Sequence, residues 1–159
     1  MTSHAVNAIA QRFNLGPVNQ IAFVVRSIER SLPFYEAIFG KFQIYETSAE
    51  VTYRGRPIKV RLKTALTQPD PVQIELCEAV GDGPPHGDYL RRHGEGLYHV
   101  RFTVENLQAT VQTMAQAGFV QFYSGDMKSV RFAYLELSGD DRHIVIELLE
   151  PVPAATRAA

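Results

Sequence analysis

The stretch NQIAFVV at Asn19–Val25 aligns with YHVRFTV at Tyr98–Val104, an offset of 79 residues (99 minus 20). A second pair, VQIELCE at Val72–Glu78 and IVIELLE at Ile144–Glu150, is offset by 72 residues (147 minus 75). Two matched runs in the same order indicate an internal duplication, and such a repeat governs every later assignment. The first copy is longer by seven residues (79 minus 72), which we place in the turns at 50–56 or 67–70 because turn-forming residues concentrate there.

Periodicity gives each copy the order strand, helix and three strands. In the first copy Ile28, Leu32, Tyr35 and Phe39 recur at helical spacing before Gly40, although Pro33 removes one backbone donor from this helix. In the second copy Asn106 is the expected N-cap of a helix that turns Leu107, Val111 and Met114 inward and ends at Gly118. Alternating β-branched and aromatic residues predict the strands, at 18–25, 42–49, 58–65, 72–79, 98–104, 120–123, 131–137 and 144–149.

The predicted organisation is a single domain built from two modules. It divides into an N-terminal tail (1–16), a first βαβββ module (17–80), a linker (81–96), a second βαβββ module (97–151) and a C-terminal tail (152–159). A chain of 159 residues with 45% hydrophobic content can bury a core of its own. The fold class is therefore α+β.

Charge and cysteine content narrow the function. The net charge is -1 and the basic residues are scattered, which argues against a nucleic-acid partner. One cysteine cannot form a disulfide framework, and the N-terminus shows neither a leader nor a long apolar run. We therefore expect a cytoplasmic protein with no membrane partner that acts on a small molecule.

The duplication places ligand-capable side chains at four equivalent positions. The first strand of each module carries Gln20 or His99, and the last strand carries Glu75 or Glu147. Strand alternation turns Gln20 away from Ile21, Phe23 and Val25, so it points away from the apolar face. A glutamate in so apolar a strand is costly unless it is paired or binds a metal. One imidazole, one amide and two carboxylates form a donor set suited to one divalent ion of Zn, Mn, Co, Ni or Fe.

Ordinary structural roles compete with the metal hypothesis. A single His on a strand is more often a hydrogen-bonded structural residue than a ligand, and Gln20 alone would be an ordinary polar residue. The two site glutamates, like Glu78 and Glu150, could be solvent-facing residues on a half-exposed sheet. The fourfold match between the copies favours the metal site.

The chain resembles the vicinal oxygen chelate superfamily, also known as the glyoxalase/bleomycin-resistance/dioxygenase group. The resemblance covers about 18–150 and lies in the Asn19–Val25 run, the helix from Ser31 to Gly40 and the two Ile-Glu-Leu strands. It implies tandem βαβββ modules that form an open U-shaped mixed sheet around a central metal, held by Gln20, Glu75, His99 and Glu147. It also implies a homodimer.

Within this superfamily, the run Tyr89–His99 is similar to methylmalonyl-CoA epimerases, which implies an acyl-CoA substrate. Those enzymes usually have His where Gln20 stands, and a second catalytic glutamate in the region of Glu50. Lactoylglutathione lyase (glyoxalase) is the alternative, since its metal set can be Gln, Glu, His and Glu. Its glutathione-binding arginine and asparagine correspond to Val24 and Ala79 here. Antibiotic-binding members usually lack a full metal set and are the non-catalytic alternative.

These observations predict a metal-dependent isomerase, epimerase or lyase that moves a proton α to a carbonyl or thioester. Glu147 is the first candidate for the base, because such a reaction needs a group that takes the carbon-bound proton. Glu50 and Tyr53 are candidates for the acid on the opposite face. We expect His93 and His143 at the surface.

Overall fold

The computed structural model describes residues 12–81, 83–139 and 145–153. Within these ranges it contains eight strands and three helices, and it confirms the predicted order of strand, helix and three strands in each module. The first module comprises β1 (Val18–Val24), α1 (Ile28–Phe39), β2 (Gln43–Tyr53), β3 (Arg56–Leu66) and β4 (Gln73–Ala79). A helix in the connection, α2 (His86–His93), leads to β5 (Gly96–Thr103), α3 (Leu107–Ala115), β6 (Phe119–Asp126), β7 (Val130–Leu137) and β8 (Val145–Pro151).

The eight strands form a closed barrel in the order β1-β4-β3-β2-β6-β7-β8-β5. The modules meet twice, where β1 runs antiparallel to β5 and where β2 pairs with β6 through Thr52–Ser124 and Tyr53–Tyr123. The expectation of an open U-shaped sheet is therefore wrong for this chain. The short β2–β6 contact closes the sheet, and large side chains fill the space that an open sheet would leave to solvent.

Aromatic rings fill the barrel interior. The buried interior cluster consists of Val24, Val51, Tyr98, Phe122, Tyr123, Tyr134 and Val145. The strand registers shift between Ala22 and Phe23 opposite β5 and between Gln121 and Tyr123 opposite β7, which leaves Tyr98 and Phe122 as extra residues. A bulge of this kind lets two successive side chains turn to the same face. Tyr98 therefore lies buried beside His99, and Phe122 beside Tyr123.

Two further clusters lie under the long helices on the outside of the barrel. Helix α1 packs Ile28, Leu32 and Tyr35 over Val25 and Leu76, and helix α3 packs Leu107, Val111 and Met114 over Leu135 and Leu148. The predicted helical stripes are confirmed in both cases. Ser27 and Asn106 cap the two helices, accepting from the backbone N–H groups of Arg30 and Ala109.

A glutamate from the last strand of each module fastens the helix of that module. Glu78 Oε2 accepts from the backbone N–H of Ile28 at 2.7 Å, and Glu150 Oε2 accepts from that of Leu107 at 2.7 Å. The reading of both residues as solvent-facing is wrong: each carboxylate satisfies an N–H at a helix start, where the helix dipole also favours negative charge.

Glu150→Ala should lower the free energy of unfolding by about 1 kcal/mol, as expected when a helix loses a capping acceptor. Urea denaturation followed by far-UV circular dichroism measures this difference. Glu46→Ala is the matched control, because Glu46 is an exposed glutamate on β2 outside both caps. Equal stability of the Glu150 and Glu46 variants would contradict the capping role.

Several boundaries differ from the sequence predictions. The proposed linker contains α2, and β5 begins at Gly96 inside its predicted end. The extra residues of module one lengthen the β2–β3 hairpin, whose strands have 11 residues each against 8 in β6 and β7, since 50–53 continue β2. Phe13, assigned to a tail, is buried edge-on against Phe119. Helix α3 ends at Ala115, three residues before Gly118. The predicted surface position of His143 lies outside the described residues.

The β2–β3 hairpin turns through Arg54 and Gly55, both with positive φ (49° and 75°). Two successive left-handed residues favour Asn-Gly or Asp-Gly in such a turn. An arginine with a Cβ costs roughly 1–2 kcal/mol in this conformation. The backbone N–H of Arg54 donates to the carbonyl of Phe122 at 2.7 Å, which fixes the turn against β6. Across the described residues, no helix has the length and apolar character needed to cross a bilayer.

Candidate functional site

The four predicted donor side chains meet inside the barrel. Their strands β4, β1, β5 and β8 lie side by side in that order, with parallel pairing within each module and antiparallel pairing between β1 and β5. Nε2 of His99 stands 3.0 Å from Gln20 Oε1, 3.0 Å from Glu147 Oε2 and 3.4 Å from Glu75 Oε2. Sequence positions separated by more than a hundred residues thus contribute to one point.

This cluster is almost closed to solvent. The exposed fraction is 0% for the His99 side chain, 12% for Glu75 and 9% for Glu147. Burial alone would lower the pKa of His99, but the charge and hydrogen bond of Glu147 and those of Glu75 outweigh it and raise that pKa to about 9. In the protein without a metal, the imidazole therefore carries a proton at neutral pH and is paired with two carboxylates.

A hydrogen-bond chain orients the amide of Gln20. Its Nε2 donates to Gln73 Oε1 at 2.8 Å, which leaves Gln20 Oε1 facing His99. Gln73 in turn donates to the backbone carbonyl of Thr67 at 3.0 Å, and Arg101 Nε donates to Asn19 Oδ1 at 2.9 Å alongside. The sequence analysis did not assign Gln73 a role. Its position two residues before Glu75, on the same strand face, is the signal that could have found it.

The donor set fits a divalent ion by chemistry and by spacing. Metal bonds of about 2.1 Å to nitrogen and oxygen place neighbouring ligand atoms about 3.0–3.4 Å apart, and the contacts to His99 Nε2 fall in that interval. As the side chains stand, however, they touch one another, and the described part of the chain holds no preformed group of three His, Cys, Asp or Glu residues that could hold a metal ion. Metal binding would require the carboxylates to separate slightly from the imidazole.

Aromatic rings border the cluster on the interior side. The Tyr134 ring lies 5.0 Å from the His99 ring, and the Tyr98 ring lies 5.5 Å from it. Burial, and next the charge of Glu147, raises the pKa of Tyr134 well above its usual value, so its hydroxyl keeps its proton. The sequence analysis missed this tyrosine, although it pairs with Glu147 across β7 and β8.

Helix α2 places His86 among these rings. The His86 ring lies 5.0 Å from Tyr98 and 6.2 Å from both Tyr123 and Tyr134, and its Nε2 is buried without a hydrogen-bond partner. Burial, together with the charge on His99, lowers the pKa of His86 to about 3. His86 is therefore neutral in the folded protein at physiological pH.

The two candidates for an opposing acid lie apart from each other. Glu50 is on the outer face of β2, where 78% of its side chain is exposed and Lys59 Nζ approaches it at 3.6 Å. Tyr53 lies on the inner side of the hairpin end, and its hydroxyl donates to Asp88 Oδ2 of helix α2 at 2.6 Å. The structure does not bring Glu50 to the four donors, and it engages Tyr53 with α2.

Comparison with known proteins identifies the class to which this fold and site belong. Residues 19–134 match the family model of the Glyoxalase/Bleomycin resistance protein/Dioxygenase superfamily. The chain belongs to this superfamily.

Individual relatives are more distant. The chain is 29% identical over 136 residues to 4-hydroxyphenylpyruvate dioxygenase of Caenorhabditis briggsae, covering 81% of this chain and 33% of that protein. It is 24% identical over 98 residues to the uncharacterized protein YqjC of Bacillus subtilis (strain 168), covering 62% and 64% of the two chains. The chain therefore spans about a third and about two thirds of the length of these relatives.

Among solved structures, methylmalonyl-CoA epimerase from Mycobacterium tuberculosis superposes with a TM-score of 0.61 at 17% identity, covering 91% of this chain and 93% of the epimerase. At this identity the likeness establishes the fold.

Proposed function

We propose that the protein is a divalent-metal-dependent isomerase, epimerase or lyase that transfers a proton next to a carbonyl or thioester. The observation that carries this proposal is the meeting of four donor atoms from duplicated strands, with His99 Nε2 within 3.0–3.4 Å of three side-chain oxygens. A purely structural hydrogen-bond cluster would need neither the fourfold repeat nor two carboxylates in the barrel interior.

The residues divide the chemistry between them. Gln20, Glu75, His99 and Glu147 would hold the metal, which when bound acts as a Lewis acid that favours loss of a proton beside a coordinated carbonyl. Glu147 would take the proton, since its carboxylate is at the edge of the cluster and keeps 9% exposure while the imidazole is fully enclosed. The buried rings of Tyr98 and Tyr134 would exclude water from one side of the substrate.

Methylmalonyl-CoA epimerisation is the first specific reaction to test. The fold shared with the epimerase supports this choice, whereas the outward position of Glu50 leaves the second proton-transfer group of an epimerase without a match at that residue. Lactoylglutathione lyase chemistry is the second candidate, because Gln20 supplies an amide oxygen to the cluster. Deuterium uptake into methylmalonyl-CoA and turnover of the methylglyoxal–glutathione adduct distinguish the two.

The metal requirement has a direct test. Purified protein should contain close to one divalent ion per chain by inductively coupled plasma mass spectrometry, and His99→Leu should remove most of it because the only nitrogen donor of the set is lost. Arg26→Leu is a control outside the cluster, since Arg26 is an exposed residue that pairs with Glu95. A metal-free wild-type protein that binds no added Zn, Co, Ni, Mn or Fe(II) would refute the proposal.

A further inference from the structure

A second cleft lies at the end of the barrel covered by helix α2. It encloses about 550 Å³, a volume typical of small-molecule sites. Four aromatic residues line it, Tyr53, Tyr89, Tyr98 and Phe122, and Arg54 reaches it from the tip of the β2–β3 hairpin. Apolar walls with a few placed polar groups are the usual make-up of a ligand site.

This cleft is separate from the four-donor cluster. None of Gln20, Glu75, His99 and Glu147 lines it. Tyr98 is 1% exposed and lies between the two, in contact with the His99 ring on one side and with Tyr89 at 4.8 Å on the other. A ligand in this cleft would therefore meet the aromatic layer and not the candidate metal ligands.

Arg54 is held toward the cleft in an unfavourable backbone conformation. Its φ of 49° suits asparagine or glycine better than arginine, so this side chain is present despite the preference of the turn. The guanidinium stands 5.5 Å from the centre of the Tyr53 ring, and its Nε donates to the Tyr53 hydroxyl at 3.2 Å. This contact uses one of five guanidinium N–H donors, so the Arg54 side chain is fixed in place with donors to spare.

The polar groups of the cleft indicate an anionic ligand. Asp88 accepts from Tyr53 and is paired with Arg91, so the negative charge nearest to Arg54 is already engaged. The Tyr98 hydroxyl is buried without a hydrogen-bond partner. A buried hydroxyl of this kind is satisfied if a ligand supplies an acceptor.

We propose that the cleft binds a small aromatic carboxylate. The carboxylate would pair with the planar guanidinium of Arg54, which matches its two oxygens. The ring would contact the edges and faces of Tyr53, Tyr89 and Phe122. A polar substituent at the far end of the ligand would accept from Tyr98.

Benzoate is the probe, titrated into the full-length protein and followed by ¹H–¹⁵N correlation NMR. Benzoate should shift the backbone amides of Gly55, Tyr89 and Phe122, and cyclohexanecarboxylate should bind more weakly because it lacks the aromatic ring. Arg54→Asn should weaken benzoate binding by about tenfold, the loss expected for a charge-assisted hydrogen bond. Asparagine suits the turn, so the melting temperature of this variant should not fall.

Arg56→Asn is the matched control, because Arg56 lies in the same hairpin and carries the same charge but does not line the cleft. It should bind benzoate as the wild type does. Repeating the titration after treatment with EDTA separates this site from the proposed metal centre: binding should persist without metal. Equal weakening by both arginine variants, equal affinity for cyclohexanecarboxylate, or no binding at about 10 mM benzoate would overturn the proposal.

Discussion

Glu147→Gln is expected to reduce solvent deuterium exchange into the α-position of the substrate by about 10³-fold. Glutamine keeps the size and the oxygen donor of the side chain but cannot accept a proton, and a positioned general base contributes roughly 10²–10⁴ to a rate. The measurement is deuterium uptake into methylmalonyl-CoA by mass spectrometry, or turnover of whichever carbonyl substrate the protein accepts.

Two controls make this result specific to the base. Glu46→Gln removes an exposed carboxylate on β2 and should leave the exchange rate unchanged. The metal content of Glu147→Gln shows whether a loss of activity comes from a lost ion. A Glu147→Gln protein that retains its ion and exchanges at the wild-type rate would exclude Glu147 as the base.

Acid should destabilise the protein through His86, by about 2 kcal/mol on going from neutral pH to pH 5. The pKa of His86 is about 3 in the folded protein against 6.5 in the unfolded chain. Between these values the unfolded chain binds more protons than the folded one, so stability falls as the pH drops below 6.5. Each pH unit costs at most about 1.4 kcal/mol, which gives the stated value over 1.5 units.

Urea denaturation at several pH values from 7 to 4 measures this dependence, and the comparison with His86→Phe isolates it from the carboxylates. Phenylalanine retains a ring against Tyr98, Tyr123 and Tyr134 and has no buried nitrogen to leave without a partner. The variant should lose less stability on acidification than the wild type. If packing of the larger ring prevents folding, His86→Leu serves the same comparison. Parallel stability curves for wild type and variant would show that His86 does not titrate on unfolding.

The fold was predictable to the extent that it rests on repetition and periodicity. The matched runs at Asn19–Val25 and Tyr98–Val104 located β1 and β5, and the apolar stripes located α1 and α3. Barrel closure was not predictable in this way, because it depends on two residue pairs between β2 and β6 and on bulges at Tyr98 and Phe122. A bulge interrupts the alternation from which strand faces are inferred.

The candidate site shows the same division. The repeat indicated Gln20, Glu75, His99 and Glu147, and the structure brings them together. It did not indicate Gln73 or Tyr134, because nothing equivalent to their hydrogen-bond or ring contacts is encoded in local spacing. The position of Glu50 could be deduced only after the register of β2 was known: Val51 points into the core, so Glu50 points out.

The fastening of each helix by a glutamate from its own module has a consequence for how the two halves depend on each other. Each half holds the anchor of its own helix, yet it supplies only two of the four donors. Two copies of the first half would present two amides and two carboxylates, and two copies of the second would present two imidazoles and two carboxylates. The mixed set arises only because unlike halves are joined in one polypeptide, which left each half free to diverge at its donor while its helix anchor stayed the same.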